Sequence, residues 1–183
     1  MSVTDSLLAT ILGALVVWLI TTLVSHFVKK TRLRAALLAD ITINIAGAKE
    51  QRAAAAKLIE NHVVEGHKLP FPIFYTVGEY LLYKSIQKDL PEYLSKAELV
   101  KVVKFYQALW ELDATTNSLA STLGRWERDG IVLSKEQVAH AKRRKERIDS
   151  LCEVLSGKEI RKLSDLPDDY RSVKGPETVV ANT

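Results

Sequence analysis

The first hydrophobic segment of the chain is a run that contains no charged residue. From Leu7 to Val28 the sequence reads LLATILGALVVWLITTLVSHFV, 22 residues without Asp, Glu, Lys or Arg. As an α-helix this run would be about 33 Å long, which is enough to cross a bilayer core of roughly 30 Å. A cleaved signal peptide would need a basic start and a small-residue cleavage site, and the run has neither. The pattern predicts a single N-terminal transmembrane helix, with a buried core helix as the alternative.

Positive charge follows this run directly. Lys29, Lys30, Arg32 and Arg34 lie close together, whereas residues 1–28 contain no Lys or Arg. Segments rich in Lys and Arg stay on the cytoplasmic side of a membrane. This membrane flank therefore predicts a single-pass protein of the cell inner membrane, with its N-terminus outside and its C-terminal domain in the cytoplasm.

Small side chains recur along the span at helical spacing. Such residues let two transmembrane helices approach closely, so this face is expected to pack against a neighbour and to favour a homo-oligomer. The predicted packing residues are Ala9, Gly13, Ala14, Thr21 and Ser25.

Beyond the span, apolar residues recur every three to four positions, and no segment alternates as a strand does. Ser95 with Glu98, and Ser134 with Gln137, have the spacing of capping boxes and mark two helix starts. Pro91 is expected to end the helix before it. The predicted helices cover residues 33–65, 73–88, 95–130 and 134–157.

The pattern as a whole predicts an all-α protein with three parts. Residues 1–28 form the N-terminal tail and transmembrane anchor, and residues 29–156 form a cytoplasmic antiparallel bundle of about four helices. Residues 157–183 have few large apolar side chains and are expected to form a flexible C-terminal tail.

Composition excludes several classes of protein. Hydrophobic residues make up 47% and charged residues 26% of the 183 residues, which excludes a wholly disordered chain. The single cysteine, Cys152, excludes an intramolecular disulfide and a cysteine-rich zinc cluster. In HVVEGH, Gly66 separates Glu65 from His67 and breaks the spacing of a helical zinc motif. The sequence predicts no catalytic residue, no cofactor and no metal site.

One charge run departs from an ordinary bundle helix. Lys142, Arg143, Arg144, Lys145 and Arg147 carry five positive charges against Glu146 alone. The alternatives are a solvated face and a binding site for an anionic partner. Among partners, a protein is favoured over a lipid headgroup because the run is expected to lie beyond electrostatic reach of the membrane. Nucleic acid is disfavoured as a partner because the run lacks interleaved aromatic residues.

Several segments together resemble a known type of protein. These are the span, its basic flank, LLADITIN at residues 37–44, a proline-bounded second helix and KVVKFYQALWEL at residues 101–112. In this combination the chain resembles a loose group of uncharacterised small bacterial inner-membrane proteins with one N-terminal transmembrane helix and a cytoplasmic helical domain. The resemblance implies a bacterial inner membrane and no particular activity or functional residue.

These observations lead to two functional hypotheses. The first is a non-enzymatic membrane-anchored adaptor that presents its helical bundle to protein partners. The alternative is a membrane-perturbing effector or pore-forming component, of toxin or phage-defence type, which the small and hydroxylated residues of the span suggest.

Overall fold

The computed structural model describes residues 3–69, 81–157, 159–168 and 170 of the chain, with side chains described from Ala14 in the first range and from Tyr83 in the second. Within these ranges the protein is all-helical. The helices are α1 (Val3–His62), α2 (Leu81–Ile86), α3 (Leu90–Tyr93), α4 (Lys96–Arg128) and α5 (Lys135–Ser156), followed by a short 3-10 helix (Leu163–Asp165). The predicted all-α class is confirmed.

Helix α1 runs without a break through the predicted span, the basic flank and the first bundle helix. Its 60 residues include no proline, so nothing interrupts the backbone hydrogen bonds over about 90 Å. The Thr31 hydroxyl donates to the Phe27 carbonyl oxygen at 3.0 Å, which satisfies this polar side chain within the helix at the junction. The junction between the span and the first bundle helix is therefore helical and contains no hinge.

The two halves of α1 have different surroundings. Side chains from Ala14 to Lys29 are all exposed, whereas Leu37 and Ile41 are fully buried. By length and composition, α1 is the one helix in the described part of the chain that could cross a membrane. The long apolar N-terminal helix is therefore confirmed.

The core lies between the second half of α1, α4 and α5. Its largest fully buried side chains come from all three helices, and they include Leu37, Ile41, Val102, Phe105, Leu112, Ile148 and Leu155. Both α4 and α5 begin at the predicted positions, where Ser95 and Ser134 form capping boxes with Glu98 and Gln137.

Contacts between the helices fix their relative directions. Helix α5 is antiparallel to α1, because Cys152 contacts Ala48 while Lys145 contacts Glu60. Helix α4 is parallel to α1, because Arg34 pairs with Glu98 and Gln51 contacts Asp113. The described part thus contains three long helices and two short ones, and it does not establish a bundle of four antiparallel helices.

The predicted second helix is described in part, and the role predicted for Pro91 needs correction. Of the helix predicted over residues 73–88, the structure describes Leu81–Ile86 as helical, and residues 73–80 lie outside the described residues. Pro91 does not end this region, because it lies in the first turn of α3, where its missing N–H costs no hydrogen bond.

The segment after α5 also differs from the expectation of a flexible tail starting at residue 157. Leu163, Leu166 and Tyr170 are buried, and the rings of Tyr170 and Phe105 meet edge to face at 6.2 Å. Lys101 Nζ donates to the Ser164 carbonyl oxygen at 2.8 Å. The packed part therefore reaches Tyr170, and residues 171–183 lie outside the described residues.

Candidate functional site

The predicted basic patch on α5 divides into two groups, and the first is paired within the bundle. Arg144 Nη1 donates to Ser118 Oγ at 2.8 Å, and Arg147 forms an ion pair with Glu111. Lys145 Nζ lies 3.0 Å from Asp149 Oδ2 and 3.7 Å from Glu60 Oε1. These three side chains join α5 to its neighbours, so the basic residues that the apolar seam would otherwise bury have partners.

The second group is exposed at the surface of α5. Lys142 and Arg143 are exposed, and no ion pair to either occurs within the described part of the chain. Among the described residues, these two of the five predicted residues have no counter-ion and present their charge outward. Sequence reasoning missed this division because it depends on Ser118, Glu111 and Glu60, which lie on other helices.

The membrane flank divides in a similar way. Lys29 and Arg32 are exposed and Lys30 is half-buried. Arg34 instead pairs with Glu98, whose side chain is only 13% exposed. Burial raises the pKa of Glu98, but the hydrogen bonds from Ser95 and the charge of Arg34 outweigh it, and the net pKa lies below the ordinary value. Arg34 therefore holds α4 against α1.

The residues predicted to pack in the membrane lie on the exposed half of α1. Ala14, Thr21 and Ser25 are exposed, and the side chains of Ala9 and Gly13 lie outside the described residues. The Thr21 hydroxyl donates to the Val17 carbonyl oxygen at 2.8 Å, so its proton is used within the helix.

A cleft of about 410 Å³ lies where α3 meets the exposed half of α1. One wall is the face of α1 from Trp18 to Lys29, and the other is formed by Glu92 and Tyr93. The His26 and Tyr93 rings stack with centroids 5.4 Å apart, and His26 Nδ1 lies 3.7 Å from Glu92 Oε1. Sequence reasoning missed this cleft because it treated Pro91 as a helix end and not as the start of α3.

A second opening, an apolar groove of about 280 Å³, lies on the bundle between α2 and α4. The Tyr83 and Tyr106 rings stack at its base with centroids 3.9 Å apart. Trp110 lines the groove and is 67% exposed. Phe105 and Tyr106, on the same helix, are buried, whereas Trp110 lies at the surface.

One carboxyl group is buried in the bundle. Asp113 is 6% exposed, and its Oδ1 accepts a long hydrogen bond of 3.5 Å from Gln51 Nε2. Asp113 Oδ2 and Gln51 Oε1 have no hydrogen-bond partner among the described residues. Burial raises the pKa of Asp113 to about 7, against which the Gln51 hydrogen bond acts only weakly. The sequence signal was available, since Asp113 follows Leu109 and Leu112 on the inward face of α4.

The remaining candidates have structural partners. Cys152 is buried, its thiol donates to the Ala48 carbonyl oxygen at 3.2 Å, and burial raises its pKa to about 11. The Thr116 hydroxyl donates to the Leu112 carbonyl oxygen within α4. Over the part of the chain that the structure describes, no three His, Cys, Asp or Glu side chains cluster as metal ligands would.

Comparison of the chain with protein-family models, with curated proteins and with solved structures gives no match. The resemblance to small inner-membrane proteins stays an expectation, and the functional argument depends on the geometry of this chain.

Proposed function

We propose that the protein is a non-enzymatic, single-pass adaptor of the bacterial inner membrane, which holds a helical bundle at the cytoplasmic surface and presents it to a protein partner. The observation that most supports this proposal is that the two halves of α1 have different surroundings. Its first half exposes apolar side chains from Leu15 to Val28, and its second half supplies Leu37 and Ile41 to the bundle core. A helix of this kind joins a membrane span rigidly to a folded domain.

The charge of the flank supports the proposed orientation. Lys29 and Arg32 are exposed directly after the apolar half of α1. Because Lys and Arg near the end of a span favour the cytoplasmic side, the bundle lies in the cytoplasm and the N-terminus lies outside.

The groove beside Trp110 is the surface best suited to a protein partner. An exposed tryptophan next to an apolar groove offers a large contact area at low entropic cost, and tryptophan is enriched among the residues that dominate binding energies. The exposed pair Lys142 and Arg143 adds positive charge that would favour an acidic partner.

The alternative, a pore-forming or membrane-perturbing effector, has weaker support. The hydroxyls of Thr21 and Thr22 each donate to a carbonyl oxygen of their own helix at 2.8 Å. Both hydroxyl groups are therefore hydrogen-bonded within their own helix and do not require a water-filled pathway as a hydrogen-bond partner.

The test is gentle extraction of the tagged full chain from its membrane, followed by identification of every co-purifying chain by native mass spectrometry. We expect a stoichiometric protein partner that Trp110→Ala releases. The matched control is Ile43→Ala, which removes another exposed apolar side chain, 69% exposed, from α1. A homo-oligomer without a partner, combined with depolarisation of cells on overexpression, would favour the pore-forming alternative and contradict the adaptor.

A further inference from the structure

The chemistry of the cleft between α1 and α3 changes in a definite order along α1. Lys29 lies at one end, His26 and Ser25 follow, then Thr22 and Thr21, and Trp18 lies at the other end. From Lys29 to Trp18 the helix rises about 16 Å, so the cleft runs lengthwise along the helix. It passes from charged through hydroxylated to aromatic groups, which is the order of charge, ester and hydrocarbon in a phospholipid.

The position of the cleft matches this order if α1 spans the membrane, and in this the inference rests on the proposed function. Lys29 is the first basic residue after the span, so it lies at the level of the headgroups. Trp18 is 64% exposed and lies inside the hydrocarbon level. The α3 wall, which carries Glu92 and Tyr93, then lies at the membrane surface.

The charges of the cleft distinguish between headgroups. Lys29 supplies a cation for a phosphate, and Glu92 supplies a carboxylate whose Oε1 lies 3.7 Å from His26 Nδ1. A purely anionic headgroup would meet repulsion from Glu92. A quaternary choline has no N–H to donate to the carboxylate. A primary ammonium can form a charge-assisted hydrogen bond with Glu92 while its phosphate meets Lys29.

We propose that the cleft between α1 and α3 binds one phospholipid whose headgroup combines a phosphate with a primary ammonium, as in phosphatidylethanolamine. The phosphate lies at Lys29, the ammonium at Glu92 and an acyl chain along Trp18. The bound lipid fills the space between the span and the short helix, and so fixes the height of the bundle above the membrane.

The test uses the full chain in nanodiscs that contain equal amounts of phosphatidylethanolamine, phosphatidylcholine and phosphatidylglycerol, with native mass spectrometry of the lipid that stays bound after release. We expect one retained phosphatidylethanolamine, preferred about tenfold, the ratio that one charge-assisted hydrogen bond supplies. Glu92→Gln should remove this preference. Lys29→Gln should lower the retention of all three lipids, because each of them carries the phosphate.

Matched controls lie beside both residues. Lys30→Gln removes the same charge from the flank, and Asp89→Asn removes an exposed carboxylate near α3, yet neither residue lines the cleft. Both controls should keep the preference. Equal retention of the three lipids, or an unchanged preference in Glu92→Gln, would overturn the proposal.

Resistance of the protein to alkaline carbonate extraction, measured in parallel, separates this result from the proposed function. A chain that resists extraction but retains no selected lipid refutes the lipid site alone. A chain that carbonate extracts refutes the membrane anchor and the lipid site together.

Discussion

Arg34, in the basic segment after the apolar half of α1, forms an ion pair with Glu98 at the third position of α4. Glu98 also closes the capping box with Ser95, so one carboxylate both starts α4 and attaches it to α1. The contact lies at the point where the exposed half of α1 gives way to the buried half. A residue that sequence alone assigns to the membrane flank is therefore part of the joint between anchor and bundle.

Loss of this pair should weaken the bundle. We expect Arg34→Gln to lower the free energy of unfolding by about 1 to 2 kcal/mol, because Glu98 is left partly buried without its counter-ion. Thermal unfolding of the full chain in detergent measures the change. Arg32→Gln, at an exposed position two residues away, should change stability by no more than about 0.5 kcal/mol. Equal effects of the two substitutions would show that the pair contributes nothing specific.

The same carboxylate gives a pH dependence. The pKa of Glu98 is lowered in the folded state, so its contribution to stability is present above the ordinary glutamate value of 4.5 and is lost as the pH falls through the lowered pKa. Glu98→Gln retains the capping box but should remove this acid-sensitive contribution.

Asp113 should produce the opposite pH dependence. Its folded-state pKa is raised from 3.8 to about 7, so the protonated carboxyl is favoured in the bundle. The stability it contributes is fully present below the unfolded value and is lost as the pH rises through about 7. Asp113→Asn should stabilise the bundle by about 2 kcal/mol at pH 8 and leave it nearly unchanged at pH 4.

Thermal unfolding between pH 4 and pH 9 tests this expectation, with Glu153→Gln as the control for loss of an exposed acidic charge. If Asp113→Asn destabilises the bundle equally at all pH values, burial does not disfavour the ionised form of Asp113, and the expectation is wrong.

The Cys152 thiol should not react with maleimide in the folded protein. With a pKa of about 11 and a thiol bonded to the Ala48 carbonyl oxygen, it is both buried and almost wholly protonated at pH 8. We expect no maleimide labelling until the bundle is denatured. A Val100→Cys variant, at a position that is 45% exposed, should label at once and serves as the positive control. Rapid labelling of Cys152 in the native protein would show that α5 separates readily from α1.

The two groups of the basic patch should respond differently to charge reversal. Lys145→Glu places a carboxylate beside Asp149 and Glu60, so the triple change of Arg144, Lys145 and Arg147 to Glu should lower the free energy of unfolding by about 3 kcal/mol or more. Reversal of Lys142 and Arg143 should change it by less than about 0.5 kcal/mol. Unfolding curves of both variants measure this. Equal losses of stability would mean that the outward pair is also structural.

Local signals in the sequence predicted the parts of the fold that depend on neighbouring residues. The capping boxes at Ser95 and Ser134 set the starts of α4 and α5, because their hydrogen bonds span only three residues. The apolar run predicted the helix of the span for the same reason, whereas the continuation of that helix through the basic flank into the bundle was not predicted. The residue types of these segments are sufficient to determine local helix formation.

Features that depend on distant residues could not be predicted in the same way. The partners of Arg144 and Lys145 belong to α4 and α1, and their identity follows only from how the helices pack. The same is true of the cleft, since nothing near Glu92 in the sequence indicates that it lies beside His26. Pro91 was misinterpreted because proline both ends helices and suits their first turn.

The most direct test of the central claim measures whether α1 is one unbroken rod from the membrane into the bundle. Spin labels at Val24→Cys and Lys57→Cys, in a Cys152→Ala background, should be about 50 Å apart in nanodiscs, since 33 residues of helix separate the two positions. Double electron–electron resonance should give a single narrow distance distribution there. A broad distribution, or one centred well below about 40 Å, would place a hinge between span and bundle and contradict the account.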